Sequence, residues 1–153
     1  MKTTIVEKFN LIGIAIRTTN ENGQSATDIP QLWNKFLSKN IILKIPNKID
    51  DTIYCVYTDY EKDYTKPYTT ILGCRVETLN KIPENLIARS FAGGEYAIFK
   101  VNGKITDNII YKEWVKIWNS AIPRAYTADF EIYDEKAQNP NNAEIDIFIA
   151  VKP

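Results

Sequence analysis

Histidine is absent from this chain, and that absence removes a large part of ordinary enzyme chemistry. Ser-His-Asp and Cys-His triads, histidine-containing zinc sites and imidazole acid-base steps all need a group the sequence does not own. Any catalysis would fall to carboxylates, tyrosines or lysines. Cysteine is scarce too. Cys55 and Cys74 are the two in 153 residues, too few for a disulfide framework and not in Cys-x-x-Cys spacing, so both are expected as buried, reduced thiols. No run of eighteen apolar residues occurs, and Met1-Lys2-Thr3-Thr4-Ile5-Val6-Glu7-Lys8 lacks the apolar stretch of a signal peptide. A cytoplasmic protein without membrane contact is expected. Neither sign of charge is in surplus: nineteen Lys plus Arg offset nineteen Asp plus Glu. Such a chain gains little from counterion release, so nucleic acid is not expected as a direct partner.

What is present is 44% hydrophobic and 25% charged residues, a globular composition whose length suits a single domain over residues 1–153. Leu11 to Thr19 is apolar and β-branched and runs into the turn residues Asn20-Glu21-Asn22-Gly23-Gln24, which predicts a strand leaving into a loop. Ile29, Leu32, Trp33, Phe36 and Leu37 then recur at helical spacing, with Thr27 or Asp28 as the N-cap and Pro30 in the first turn. Two β-rich runs follow, Ile53 to Tyr57 and Thr69 to Val76, joined by a hairpin loop over Asp59 to Pro67. Tyr54, Tyr57, Tyr60, Tyr64 and Tyr68 fall at near-helical spacing, but the surrounding β-branched residues and Pro67 argue for strands.

The second half repeats the plan. Glu95 to Val101 reads as a strand entered through Gly93-Gly94 and left by a turn at Asn102-Gly103. Ile110, Trp114, Ile117, Trp118 and Ala121 mark one helical face, ended by Pro123. Phe130-Glu131-Ile132-Tyr133 and Ile145 to Val151 make a last strand pair across Asn139-Pro140-Asn141-Asn142. Trp33 and Trp114 correspond, as do Val56 to Asp59 and Ile132 to Glu135. The expected fold is α+β: two pseudo-symmetric βαββ repeats, about 1–77 and 86–153, sharing an antiparallel sheet. Two main helices lie on one side and a ligand groove on the other.

Leu86 to Tyr96 ("LIARSFAGGEY"), the helix "YKEWVKIWNSAI", "FEIY" and the terminal "EIDIFIAVKP", in this order, resemble the GyrI-like, AraC-type effector-binding family. The chain looks like a stand-alone version of that domain, with no room for an N-terminal helix-turn-helix. The resemblance implies a small aromatic or cationic ligand, no cofactor and no metal, and an acidic residue at the position of Glu131 in the pocket floor.

Strand alternation sends Phe130 and Ile132 to one face and Glu131 and Tyr133 to the other. The apolar pair is expected to meet the helices, as are Ile145, Ile147, Ile149 and Val151. Asp146 and Phe148 would then share the face of Glu131. Tyr133, Tyr57, Phe148 and Trp114 are the expected aromatic walls, whereas Trp33 and Trp118 are expected in the core. Cys55 stands where the first half would carry the acid, and Asp146 stands where relatives often carry a glutamate. Two other functions follow from relatives: hydrolysis of cyclopropane-bearing toxins, with Glu131 as general base and Tyr133 or Tyr57 as proton donor, and inhibition of DNA gyrase as a protein partner, for which the acidic loop Asp59 to Asp63 is the first surface to consider.

Overall fold

In the computed structural model, which describes residues 2–153, eight strands and three helices follow one another in two similar series. β1 (Thr3–Val6), β2 (Phe9–Thr18), α1 (Ser25–Ser38), α2 (Ile41–Lys44), β3 (Ile53–Thr58) and β4 (Tyr68–Val76) form the first. β5 (Ile87–Phe91), β6 (Gly94–Gly103), α3 (Ile109–Trp118), β7 (Ala128–Tyr133) and β8 (Ala143–Ala150) form the second. The α+β class and the repeated strand, helix, strand, strand order are as the sequence indicates. Each repeat also carries a short leading strand, β1 or β5, that the periodicity did not announce.

All strands join one antiparallel sheet in the order β1-β6-β8-β7-β3-β4-β2-β5. Exchanging β1 with β5, β6 with β2, β8 with β4 and β7 with β3 reverses that order onto itself. The pseudo-two-fold axis therefore passes between β3 and β7. The leading strands are exchanged: β1 of the first repeat pairs with β6 of the second, and β5 pairs with β2 of the first. Both crossings are two residues long, and they touch. A side chain at Gly93 would sit 2.2 Å from the Val6 carbonyl oxygen, and the Gly93 φ is +80°, so glycine is required where the crossings meet.

The sheet is strongly curled. Phe9 on β2 and Phe130 on β7 are three strand spacings apart in sheet order, about 14 Å in a flat sheet. Their ring centroids are 5.5 Å apart. The face they share is therefore concave and carries Phe9, Leu11, Tyr54, Tyr96 and Phe130, with the Tyr96 hydroxyl donating to the Ala128 carbonyl at 2.9 Å; a small cavity of about 290 Å³ opens there beside Phe9, Tyr54, Phe130 and Phe148. The helices cover the opposite face. α1 buries Leu32 and Phe36 on Ile12, Leu72 and Cys74; α3 buries Trp114 and Ile117 on Val101, Ile147 and Ile149. Curling away from the helices splays α1 from α3 and leaves a gap above β3 and β7.

This geometry corrects which face of the sheet is which. Phe130 and Ile132 point into the concave aromatic core, away from the helices, whereas Glu131 and Tyr133 lie on the helix side. The alternation is as expected but its assignment is reversed. An apolar strand face identifies buried surface, not helix contact, and here both faces of the sheet are buried. The register decides it: Glu131 is the direct partner of Ile147, so the two share a face, and Phe148 and Asp146 take the other.

Smaller differences have local causes. α1 begins at Ser25 behind Gln24, without a side-chain cap, because Asp28 is engaged by the Thr18 hydroxyl and the Gln24 amide, each at 2.9 Å. Pro30 consequently lies within the helix. Asn102 and Gly103 close β6 rather than forming a turn, since they pair with Glu144 and Ala143. No helix among the described residues is long and apolar enough to cross a membrane.

Candidate functional site

The gap between α1 and α3 is a cavity of about 520 Å³, so the groove that holds Glu131 lies on the helix side of the sheet, between the helices, and not on the opposite side as expected. Its floor is the centre of the sheet, where β3 and β7 place Tyr57 and Glu131, and its walls include Ile29 and Pro30 of α1 and Trp114 and Trp118 of α3. The β3–β4 loop supplies Tyr60 and Tyr64, and Tyr68 opens β4. Both cysteines are buried and free.

Glu131 is 1% exposed and forms the centre of a hydrogen-bond cluster. Tyr57 donates to Oε2 at 2.8 Å, the Trp114 indole donates to the same oxygen at 2.6 Å, and Tyr133 donates to Oε1 at 2.6 Å. Burial pushes the Glu131 carboxyl above its ordinary range, and these three hydrogen bonds pull it partly back. Burial also raises the Tyr57 and Tyr133 hydroxyls well above the usual phenol range, with the nearby carboxylate adding to the effect. All three donors complement an ionised carboxylate, and the indole can do nothing but donate. Among the described residues no lysine or arginine forms an ion pair with Glu131; the paired acids are Asp51, Asp59, Asp129, Asp146 and Glu113.

Four residues expected around the ligand, Glu131, Tyr57, Tyr133 and Trp114, are thus brought together. Tyr57, Trp114 and Glu131 line the cavity, whereas Tyr133 supports Glu131 from behind, packed edge-on against Trp33 at 4.8 Å. Phe148 and Asp146 are not there. Phe148 stacks on Phe130 at 4.8 Å within the concave core, and Asp146 lies 3.7 Å from Lys100. Trp33 packs, half-buried, against the core under α1, on the expected helix face. Trp118 is instead a wall residue, stacked on Tyr64 with centroids 5.4 Å apart and rings 5° from parallel.

A second polar cluster adjoins the first and escaped the sequence reading. Asp129, fully buried two residues before Glu131, accepts from the Tyr60 hydroxyl at 2.6 Å, from Arg124 Nη2 at 2.8 Å and from the Ala150 amide at 2.8 Å. Burial raises its carboxyl, opposed by Arg124. The five tyrosines between Tyr54 and Tyr68 were the available signal: four of them, Tyr57, Tyr60, Tyr64 and Tyr68, line the cavity.

Residues 4–151 match the family described as integron-associated effector binding protein, Cass2. The chain belongs to that family. Its effector-binding character agrees with the resemblance drawn from the sequence. The Bacillus subtilis (strain 168) protein YobU, named as a transcriptional regulator, is 28% identical over 145 residues, covering 92% of this chain and 90% of that one. The solved integron cassette protein Cass2 from the mobile metagenome of Vibrio cholerae is 28% identical, with a TM-score of 0.75 over 99% of this chain and 95% of that chain. SAV2435, solved with tetraphenylphosphonium bound, has a TM-score of 0.78 at 18% identity, covering 99% of this chain and 93% of that one, and shares the fold.

Proposed function

We propose that the cavity between α1 and α3 binds an aromatic or lipophilic cation, and that the protein senses or sequesters that molecule. The observation that carries this reading is Glu131, a buried carboxylate with three hydrogen-bond donors and no ion-pair partner, in the floor of an aromatic cavity. A buried charge without a counterion costs several kcal/mol, only part of which the three charge-assisted hydrogen bonds return. A cationic guest supplies the missing counter-charge. The aromatic lining, which includes Tyr57, Tyr60, Trp114 and Trp118, offers cation–π attraction of about 0.5–2 kcal/mol per well-placed ring.

Membership of an effector-binding family and the tetraphenylphosphonium held by SAV2435 support the same class of ligand. Binding is favoured over hydrolysis because both lone-pair positions of Oε2, the oxygen approached by the cavity residues Tyr57 and Trp114, are taken, which weakens Glu131 as a general base toward a water in the cavity. Three of the four lone-pair positions of Glu131 are already occupied.

Titration with tetraphenylphosphonium, followed by tryptophan fluorescence or calorimetry, tests the reading against Glu131→Gln. Glutamine can present its oxygen to Tyr57 and Trp114 and its amide to the Tyr133 oxygen, so the variant keeps the site's shape without its charge. The expected result is a 10- to 100-fold loss of affinity, about 1.4–2.8 kcal/mol. Equal affinity in a folded Glu131→Gln protein would remove the carboxylate from ligand recognition.

A further inference from the structure

The concave side of the sheet, opposite the Glu131 cavity, carries Arg75 of β4 and Tyr54 of β3. Tyr54 is the cross-strand partner of Gly73, so Arg75, two residues further along β4, stands diagonally across from it on the same face. Both line the cavity of about 290 Å³ that opens there, with Phe9, Phe130 and Phe148 as its apolar wall and the exposed Glu7 beside them. The Tyr54 ring lies 6.0 Å from Phe9 and 5.7 Å from Phe130, centroid to centroid. The guanidinium carbon of Arg75 lies 5.5 Å from the Phe9 centroid.

Two polar groups of this cavity are without partners. Tyr54 is 9% exposed, and its hydroxyl meets no hydrogen-bond partner among the described residues without being sealed from solvent. Arg75 forms no ion pair among the described residues, whereas its neighbours on the same face do: Arg89 with Asp59 at 2.9 Å and Lys100 with Asp146 at 3.7 Å. Nε of Arg75 is sealed in and offers a guest nothing. Nη1 and Nη2 also lack a protein acceptor but stay open to solvent, and together they make the end edge of the planar fork. That edge takes a carboxylate through two parallel hydrogen bonds. Glu7 does not fill it, since no ion pair joins the two.

We infer that the concave cavity is a second binding site, for a small aromatic carboxylate, separate from the Glu131 cavity and opposite to it in charge preference. The carboxylate meets the Nη1–Nη2 edge of Arg75 and accepts from the Tyr54 hydroxyl, while the ring lies against the phenylalanine wall. A volume of about 290 Å³ is at the lower limit of small-molecule pockets, about 300 Å³, so the guest has one ring or two fused rings. The sheet keeps the two guests apart, because Tyr54 and Phe130 face one cavity while Tyr57 and Glu131 of the same strands face the other.

Naphthoate and its neutral isostere naphthamide, titrated into the full chain by calorimetry, test the site. The wild type is expected to bind the acid about tenfold more tightly than the amide, the worth of one charge-assisted fork. Arg75→Gln is expected to cancel that preference. Where glutamine lowers the melting temperature, Arg75→Lys keeps the charge beside Phe9 but loses the fork, and it is expected to give up most of the preference. Saturating tetraphenylphosphonium is expected to leave naphthoate affinity unchanged. No saturable binding of naphthoate, equal affinity for acid and amide in the wild type, or a preference unchanged in a folded Arg75 variant overturns the site. Displacement of naphthoate by tetraphenylphosphonium overturns its separateness and with it the inference. Failure of tetraphenylphosphonium to bind the wild type counts against the Glu131 reading alone, and the comparison of acid with amide still decides this one.

Discussion

Cys55 and Glu131 are direct cross-strand partners at the β3–β7 junction, on either side of the pseudo-two-fold axis. Two residues further along each strand stand Tyr57 and Tyr133, and both hydroxyls converge on Glu131. Behind them the symmetry continues, with Tyr57 edge-on to Trp114 at 5.3 Å and Tyr133 edge-on to Trp33 at 4.8 Å. A nearly symmetric aromatic frame thus surrounds one carboxylate. Two carboxylates on directly opposed residues would repel at close range in a buried site. The thiol at Cys55 is the small, neutral mate that lets a single charge occupy the axis.

That thiol should be chemically silent. Burial pushes it up, and the adjacent Glu131 charge adds to the shift, so almost no thiolate exists near neutral pH. Native protein treated with iodoacetamide at pH 8 should remain unmodified at Cys55, and modification should appear only as denaturant unfolds the chain. Rapid labelling of Cys55 in the native state would contradict the packing described here.

Tyr57→Phe and Tyr133→Phe each remove one donor from the buried carboxylate without changing side-chain bulk. Hydrogen bonds to charged groups contribute about 1.5–3 kcal/mol, so each variant should lose about that much stability in urea denaturation. Their effects on ligand should differ. Tyr57 lines the cavity and Tyr133 does not, so the ring-edge change at Tyr57 should alter affinity for tetraphenylphosphonium more than the change at Tyr133.

Much of this arrangement is legible in the sequence, and its limits are physical. Helix spacing picks out Leu32 and Phe36 on one helix and Trp114 and Ile117 on the other, and strand alternation separates Glu131 and Tyr133 from Phe130 and Ile132. Alternation is a property of one strand, however. It does not say which residues of neighbouring strands share a face, and only the register that sets Glu131 opposite Ile147 reveals that Phe148 looks the other way. Nor does a local pattern reveal Arg124 beside Asp129 and Tyr60, because Tyr60 is 69 residues from the aspartate it bonds. The curl that turns an apolar face into a second core depends on all eight strands at once.

The three tryptophans should report separately. Trp118 is stacked on Tyr64 at the cavity wall and Trp114 touches Glu131, whereas Trp33 is packed against the core behind Tyr133. Ligand should quench the emission of a Trp33→Phe protein as strongly as that of the wild type. Trp118→Ala should lose part of the quenching and about 0.5–1.5 kcal/mol of affinity, the worth of one aromatic contact. Undiminished affinity in Trp118→Ala would place the ligand elsewhere.

The pH dependence of stability and that of binding should run in opposite directions, with both traceable to Glu131. Its carboxyl in the folded protein is raised above that of the unfolded chain, chiefly by burial. Between those two values the folded state holds a proton that the unfolded state has released. Stability therefore falls as pH rises through that window and stays lower above it. Asp129 is raised in the same way, whereas Asp59, held down by its hydrogen bond from Arg89, contributes in the opposite sense at lower pH. The wild-type profile is a sum of these, and its difference from Glu131→Gln isolates the one group. The variant's stability relative to wild type should increase as pH rises from the ordinary carboxylate range through the raised value of Glu131. As pH rises through its raised value Glu131 ionises, so wild-type affinity for tetraphenylphosphonium, whose charge is independent of pH, should increase. The affinity of Glu131→Gln should stay flat. A binding profile that rises equally in both proteins would assign the titrating group to another residue, and Asp129→Asn would be the variant to measure next.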